Sequence, residues 1–151
     1  MPQIFKVETY DNVSHEDIPQ LFNLLQQYKN SIGEPKLNDA QLEKLKLAIT
    51  QNKMEFFIAK CGEKLVAMCS IGIVFSTFTC DNIGIFEDFF IVEEYRGKGV
   101  ARRLTQYVFD EMKARGVVAV WVGRADVDTQ MYESLGFDVR LGNLQAWSLQ
   151  G

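Results

Sequence analysis

The chain has 151 residues, 47% of them hydrophobic and 12% aromatic, and a formal charge of -4 at neutral pH. That length and apolar content suit one folded unit with a sizeable core, a single domain over residues 1–151. The negative balance argues against a nucleic-acid binder, which needs a basic face, and the longest apolar run, residues 117–122, is far too short to span a membrane.

The polar start Met1-Pro-Gln3 does not read as a signal peptide, so a cytoplasmic location is the default expectation. Cys61, Cys69 and Cys80 are odd in number and lack C-x-x-C spacing, which predicts buried thiols in a reducing compartment and not a disulfide framework. His15 is the single histidine, which excludes His-rich metal clusters; no metal site is expected. His15 itself reads as exposed polarity at a helix start.

In chain order, residues 3–10 alternate loosely and predict a strand. Asp17-Ile-Pro-Gln20 has the form of a helix start, with an acid at the N-cap, proline in the first turn and Gln at the capping-box position. Ile18, Leu21, Phe22, Leu25 and Tyr28 follow at helical spacing, up to a stop at Gly33-Glu-Pro35. Asn38-Asp-Ala-Gln41 repeats the capping logic before a second helix that buries Leu42, Leu45 and Ile49. Residues 54–61 and 65–78 read as strands joined by a turn at Gly62-Glu-Lys64, and a turn at 79–82 leads into an apolar strand ending at Val92.

Leu104, Val108 and Met112 line one face of a third helix stopped by Gly116, and residues 117–122 form a buried strand, so this β–α–β step implies a parallel pair. A short helix over about residues 127–135 and two strands, 137–141 and 144–149, complete the chain. The order β-α-α-β-β-β-α-β-α-β-β is that of an α/β protein with a mixed sheet and helices on both faces.

The chemistry concentrates in residues 86–104, where an apolar strand passes through a basic glycine loop into a helix. Arg96, Lys98, Arg102 and Arg103 fall within eight positions of an otherwise acidic chain. A helix N-terminus is itself partially positive and ordinarily attracts Asp or Glu, so four cations there imply an anion. Gly97 and Gly99 let unpaired helix N–H groups approach it, which makes a site for a multiply charged phosphate. The nucleotide-hydrolase phosphate loop is excluded because Gly99 is followed by Val100 and Ala101, not Lys and Ser/Thr. The dinucleotide fingerprint fails at Arg102, where a glycine is required.

What remains, Arg96-x-x-Gly99-x-Ala101, resembles the acetyl-coenzyme A signature of the GCN5-related N-acetyltransferases (GNAT). Tyr132-Glu-Ser-Leu-Gly-Phe137 is similar to the family's second recurring motif, and Glu87-Asp-Phe-Phe-Ile91 followed by Glu94-Tyr-Arg-Gly97 looks most like its diamine and small-amine branch. Two positions depart: Glu93 stands where the family often has proline, and Ala125 where it often has asparagine.

The resemblance implies a GNAT-like fold that moves an acetyl group from acetyl-CoA to a primary amine of a small molecule or peptide. Arg96, Gly97, Lys98, Gly99, Val100, Ala101 and Arg102 would hold the pyrophosphate, and backbone groups of Phe89, Phe90, Ile91 and Val92 the pantetheine arm. The five steps from Val92 back to Glu87 span about 16 Å, roughly the reach of that arm. An alkylammonium, with a pKa near ~10.4, must lose a proton before it attacks. Glu87 is the expected base, directly or through water, with Asp88 the runner-up. Alternation puts the two on opposite strand faces unless the strand is bulged. Tyr132 is the expected proton donor to the leaving thiolate, and an N–H near Phe89 or Phe90 the oxyanion donor. The first two helices and their loop are candidate walls of the acceptor pocket. A homodimer is expected by resemblance, and a non-catalytic acyl-CoA-binding sensor of the same fold is the alternative function.

Overall fold

The computed structural model describes residues 6–149. Five strands form one mixed sheet in the order β1-β2-β3-β4-β5: β1 is Thr9–Asn12, β2 Glu55–Cys61, β3 Lys64–Ser76, β4 Asp81–Ile91 and β5 Ala119–Val122. All neighbours are antiparallel except β4 and β5, which are parallel as the crossover implies. The helices are α1 (Ile18–Ser31), α2 (Asp39–Thr50), α3 (Val100–Ala114) and α4 (Thr129–Ser134).

The sheet is buried on both faces. Leu21, Leu24 and Leu25 of α1 pack with Phe56, Ile58, Leu65 and Met68 on one side. Phe57, Ala59, Cys69 and Phe86 pack with Val100, Leu104, Val108 and Met112 of α3 on the other. Phe57 and Leu104 are completely inaccessible, and burial of each such side chain contributes roughly 2–3 kcal/mol. Val117 N–H donates to Met112 O at 2.9 Å past Gly116, which ends α3 as the sequence predicts.

Capping follows the sequence at one helix and departs from it at the other. At α2 the Asn38 side chain accepts from Gln41 N–H (2.8 Å) and the Gln41 side chain from Asn38 N–H (2.9 Å), the expected box. At α1 the box sits one turn earlier: Ser14 Oγ donates to Asp17 Oδ2 at 2.8 Å and Ser14 N–H to the same oxygen at 3.2 Å. Burial pushes the Asp17 carboxyl up, but Lys60, with Nζ 2.8 Å away, and Ser14 outweigh it and hold the group below its ordinary range. Gln20 reaches instead to the β2–β3 turn, donating to Glu63 O at 2.9 Å and accepting from Leu65 N–H at 3.1 Å. A residue 45 positions away thus claims the amide that local spacing assigned to a cap.

Three further expectations change. The first strand starts at Thr9, not residue 3; residues 3–5 lie outside the described residues, and 6–8 are not strand. Leu42, Leu45 and Ile49 are half-buried, and α2 has no fully buried residue; Leu45 and Ile49 pack at the periphery of the cluster between α1 and the sheet. The two final strands do not form among the described residues. β5 is only four residues long, and a cavity of about 360 Å3 separates it from residues 139–144, so the tail stands off the ladder.

Where β4 meets β3 the register slips. Between the pairs Ile71–Phe86 and Cys69–Phe89, β3 holds one residue, Ser70, and β4 holds two, Glu87 and Asp88. This is a β-bulge on β4. Phe86 and Phe89, three apart, therefore share a face, with ring centroids 5.4 Å apart, where simple alternation would oppose them.

Candidate active site

The basic loop is a ready anion cradle. After a short 3-10 turn at Glu93–Tyr95, Gly97 and Gly99 take φ values of 74° and 82°, a region that favours glycine, and α3 begins at Val100. The backbone amides of residues 97–102 have no acceptor among the described residues, and no side chain caps the helix. A Cβ built at Gly97 or Gly99 meets nothing within 4 Å, so the space in front of these amides is open. The head of α3 carries no acid in its first turn, and Arg102 and Arg103 stand exposed there. These groups fit a pyrophosphate.

The cations divide their work. Arg96 Nε donates to Ile91 O at 2.8 Å and its guanidinium lies over the Phe90 ring at 5.4 Å, so its side chain closes the loop onto the end of β4. Lys98 Nζ sits 5.7 Å from the Tyr95 ring centroid.

Beyond Phe86–Val122, β4 has no partner on its β5 side, and five more residues of β4 run along an open edge. Val92 N–H donates to Val66 O at 2.9 Å, which fixes the alternation: Phe90 and Val92 turn their backbone groups toward β3, and Phe89 and Ile91 turn theirs outward. Arg96 occupies Ile91 O, which leaves the N–H and C=O of Phe89 and the N–H of Ile91 for an extended ligand. Of the four residues expected along the arm, Phe90 and Val92 therefore present no free backbone group. An extended chain beside this edge would be joined to the sheet as an added strand.

The bulge also separates the two carboxylates. Asp88 is tied to Ser70, whose hydroxyl donates to Asp88 Oδ2 at 3.2 Å and accepts from Asp88 N–H at 3.1 Å. Glu87 is exposed, and its side chain makes no hydrogen bond or ion pair among the described residues. Tyr132, on α4, is half-buried and packs against Phe89 (6.3 Å) and Phe137 (5.7 Å), which sets it over the open edge. Burial pushes its phenol up to about 12, with Tyr28, Asp128 and Cys69 adding to the effect. The ordinary value near ~10 expected from the sequence is thus too low.

The sequence profile of the Acetyltransferase (GNAT) family matches residues 18–137, which takes in the loop, the bulged strand and Tyr132. The chain belongs to the GNAT acetyltransferase family. Its α/β fold is that of solved acetyltransferases. One, an aminoglycoside acetyltransferase from an uncultured soil metagenomic sample in complex with sisomicin, superposes with a TM-score of 0.80 at 14% identity over 93% of this chain and 94% of that one. A predicted acetyltransferase from Clostridium acetobutylicum, solved with acetyl-CoA, gives 0.77 at 18% identity over 95% and 97%. In sequence, N-alpha-acetyltransferase 30 of Schizosaccharomyces pombe is 43% identical over 65 residues, 40% of this chain and 42% of that protein. The chain thus matches less than half of that relative's length.

In this GNAT chain the cysteines differ in surroundings, Cys61 being half-buried, Cys69 buried and Cys80 exposed. Cys69 is fully buried, and burial pushes its thiol far up, away from the reactive thiolate. Cys80 is exposed in the β3–β4 turn at φ 52°, where the sequence predicted a buried thiol, because the strand ends at Ser76 and the turn leaves the sheet. One residue beside the carboxylate pair escaped sequence reasoning: Ser70, visible only through the register slip. Among the described residues no helix is long and apolar enough to cross a membrane.

Proposed function

We propose that this protein transfers the acetyl group of acetyl-CoA directly to a primary amine. The observation that carries the reading is the run of amides at 97–102 without acceptors, adjoining the unpaired length of β4. The donor supplies an activated thioester; the chain's residues do the rest. The loop and the outward groups of Phe89 and Ile91 fix the arm, so that the carbonyl to be attacked lies at the bulge. Glu87, unencumbered at the surface, takes the ammonium proton through water, and the freed nitrogen forms the C–N bond. Phe89 N–H receives the carbonyl oxygen as it becomes negative. On collapse the C–S bond breaks toward Tyr132. A phenol at about 12 holds its proton more tightly than a thiol, which titrates near ~8.5. Tyr132 therefore stabilises the sulfur chiefly as a hydrogen-bond donor, with the thiolate's proton coming finally from solvent. The balance is an ammonium and a thioester consumed, an amide, a thiol and one proton released.

The acceptor is an amine of a small molecule or a peptide N-terminus, the range covered by the aminoglycoside and N-alpha-acetyltransferase relatives and by the small-amine branch that the motif resembles. A homodimer and a cytoplasmic location belong to the same reading, and Val139, Leu144 and Trp147 of the tail, each more than 70% exposed, offer apolar surface to a second copy. The experiment is thiol release over a panel of polyamines, aminoglycosides, amino acids and peptides. Release in proportion to amine is expected. Glu87→Gln should slow it about tenfold at pH 7 and recover toward pH 10, where the amine sheds its own proton. Coenzyme A binding without release for any amine would favour the non-catalytic sensor instead.

A further inference from the structure

The cavity of about 360 Å3 beside β5 has no part in the mechanism above, yet it begins where the reaction is placed. β5 leaves β4 at the pair Phe86–Val122, immediately before the bulge, and Val122 and Gly123 go on to line the cavity. Across the splay Tyr132, whose ring packs on Phe89 at 6.3 Å, lines it as well. Val122 and Tyr132 therefore border both the open edge of β4 and the cavity. Gly123 keeps the space beside Val122 wide, because a Cβ built there would lie 3.0 Å from Leu144 Cδ2.

The lining suits an apolar group. Phe137, Leu141 and Leu144 form part of the wall, and Leu141 and Leu144 are 54% and 85% exposed, apolar surface that a ligand would cover. The charges are answered locally: Arg124 Nη1 lies 3.4 Å from Asp126 and Arg140 Nη2 lies 2.7 Å from Glu133, while Asp138 is exposed to solvent. No cation of the lining is left for an anion. The volume is within the range of about 300–1,000 Å3 that holds small organic ligands, far beyond what the one methyl of an acetyl group needs.

We propose that this cavity is an acyl-chain pocket, so that the enzyme accepts coenzyme A thioesters of short unbranched fatty acids, butanoyl to hexanoyl, as well as acetyl. With the carbonyl at the bulge, the chain passes between Val122 and Tyr132 toward Phe137 and Leu141. The step is balanced as for acetyl: the C–N bond forms, the C–S bond breaks, and the ammonium proton leaves through Glu87, giving a longer amide, a thiol and one proton. Each methylene buried there tightens thioester binding about threefold.

This inference rests on the acetyl-transfer reading, and the test separates the two. Affinity and thiol release are measured with acetyl-, butanoyl- and hexanoyl-CoA, using an amine from the panel that acetyl-CoA turns over, for wild type, Gly123→Phe and Leu144→Ala, alongside melting temperature and sedimentation. Butanoyl-CoA should bind wild type about tenfold more tightly than acetyl-CoA. In Gly123→Phe, whose ring fills the space beside Val122, kcat/KM for hexanoyl-CoA should fall at least about tenfold and that for acetyl-CoA stay within about twofold. Leu144→Ala should raise kcat/KM for hexanoyl-CoA about threefold, and with the wild-type series it decides the matter if Gly123→Phe proves too unstable to assay. Equal affinity for the three thioesters in wild type, a chain-length preference unchanged in Gly123→Phe, or acetyl and hexanoyl turnover falling together in a stable Gly123→Phe would overturn the pocket and leave acetyl transfer standing. Equal affinities in a protein that sediments as a dimer would give the cavity to a second copy. Absence of amine-dependent thiol release from acetyl-CoA in wild type would overturn the acetyl-transfer reading itself.

Discussion

Replacing Gly99 with valine is expected to weaken coenzyme A binding about 100-fold, equivalent to roughly 2.7 kcal/mol. The residue sits at φ 82°, where a β-branched side chain is strained by about 1–2 kcal/mol, and its amide is among those facing the open cradle. Beyond its immediate chain neighbours, no protein atom lies within 4 Å of the added Cβ, so the side chain extends into the space an incoming anion would fill. Gly33 provides the control. It has φ 74° and equally open surroundings, but lies after α1, away from the loop. Gly33→Val should show the same modest fall in melting temperature, a few degrees, with coenzyme A affinity unchanged. Equal losses of affinity in both variants would mean that strain, not anion access, is being measured.

Tyr132→Phe should lower kcat about 100-fold while coenzyme A affinity stays within about threefold. The ring contacts to Phe89 and Phe137 survive the substitution, and only the phenol oxygen proposed to donate to the leaving sulfur is lost. The high phenol value adds a pH signature. Because burial keeps Tyr132 protonated to about 12, the wild-type rate should show no decline between pH 9 and 11 from its ionisation. The folded state binds this proton more tightly than the unfolded chain, whose phenol titrates near ~10, so stability is full below that value and falls as pH rises toward about 12. Alkaline denaturation followed by circular dichroism should be shallower in Tyr132→Phe. A kcat unchanged by the substitution would remove Tyr132 from the chemistry.

Local signals carried as far as local physics reaches. The Asn38–Gln41 cap, the glycine loop and the stop at Gly116 are all decided within a few residues, and each stands where spacing put it. Glu87 and Asp88 are legible as a pair, but their different surroundings, one exposed and one tied to Ser70, come from the register slip, which depends on how β3 pairs across the hairpin. The same holds for Gln20, whose partners are in another turn, and for Phe90, whose backbone is spent on β3. Residues 137–149 alternate well enough to read as strands, yet a strand exists only against a ladder, and the gap beside β5 denies them one. Arg96 shows the converse: its charge was legible, but its use in holding Ile91 O was not.

The proposed reaction needs the turn at residues 96–101 and the open edge of β4 to receive one ligand together. Isothermal titration of the purified protein with coenzyme A, repeated at rising salt, tests it most directly. The prediction is saturable one-to-one binding that weakens steadily as salt screens the pyrophosphate contacts. Heat no greater than dilution at millimolar coenzyme A, or binding indifferent to salt, would contradict it.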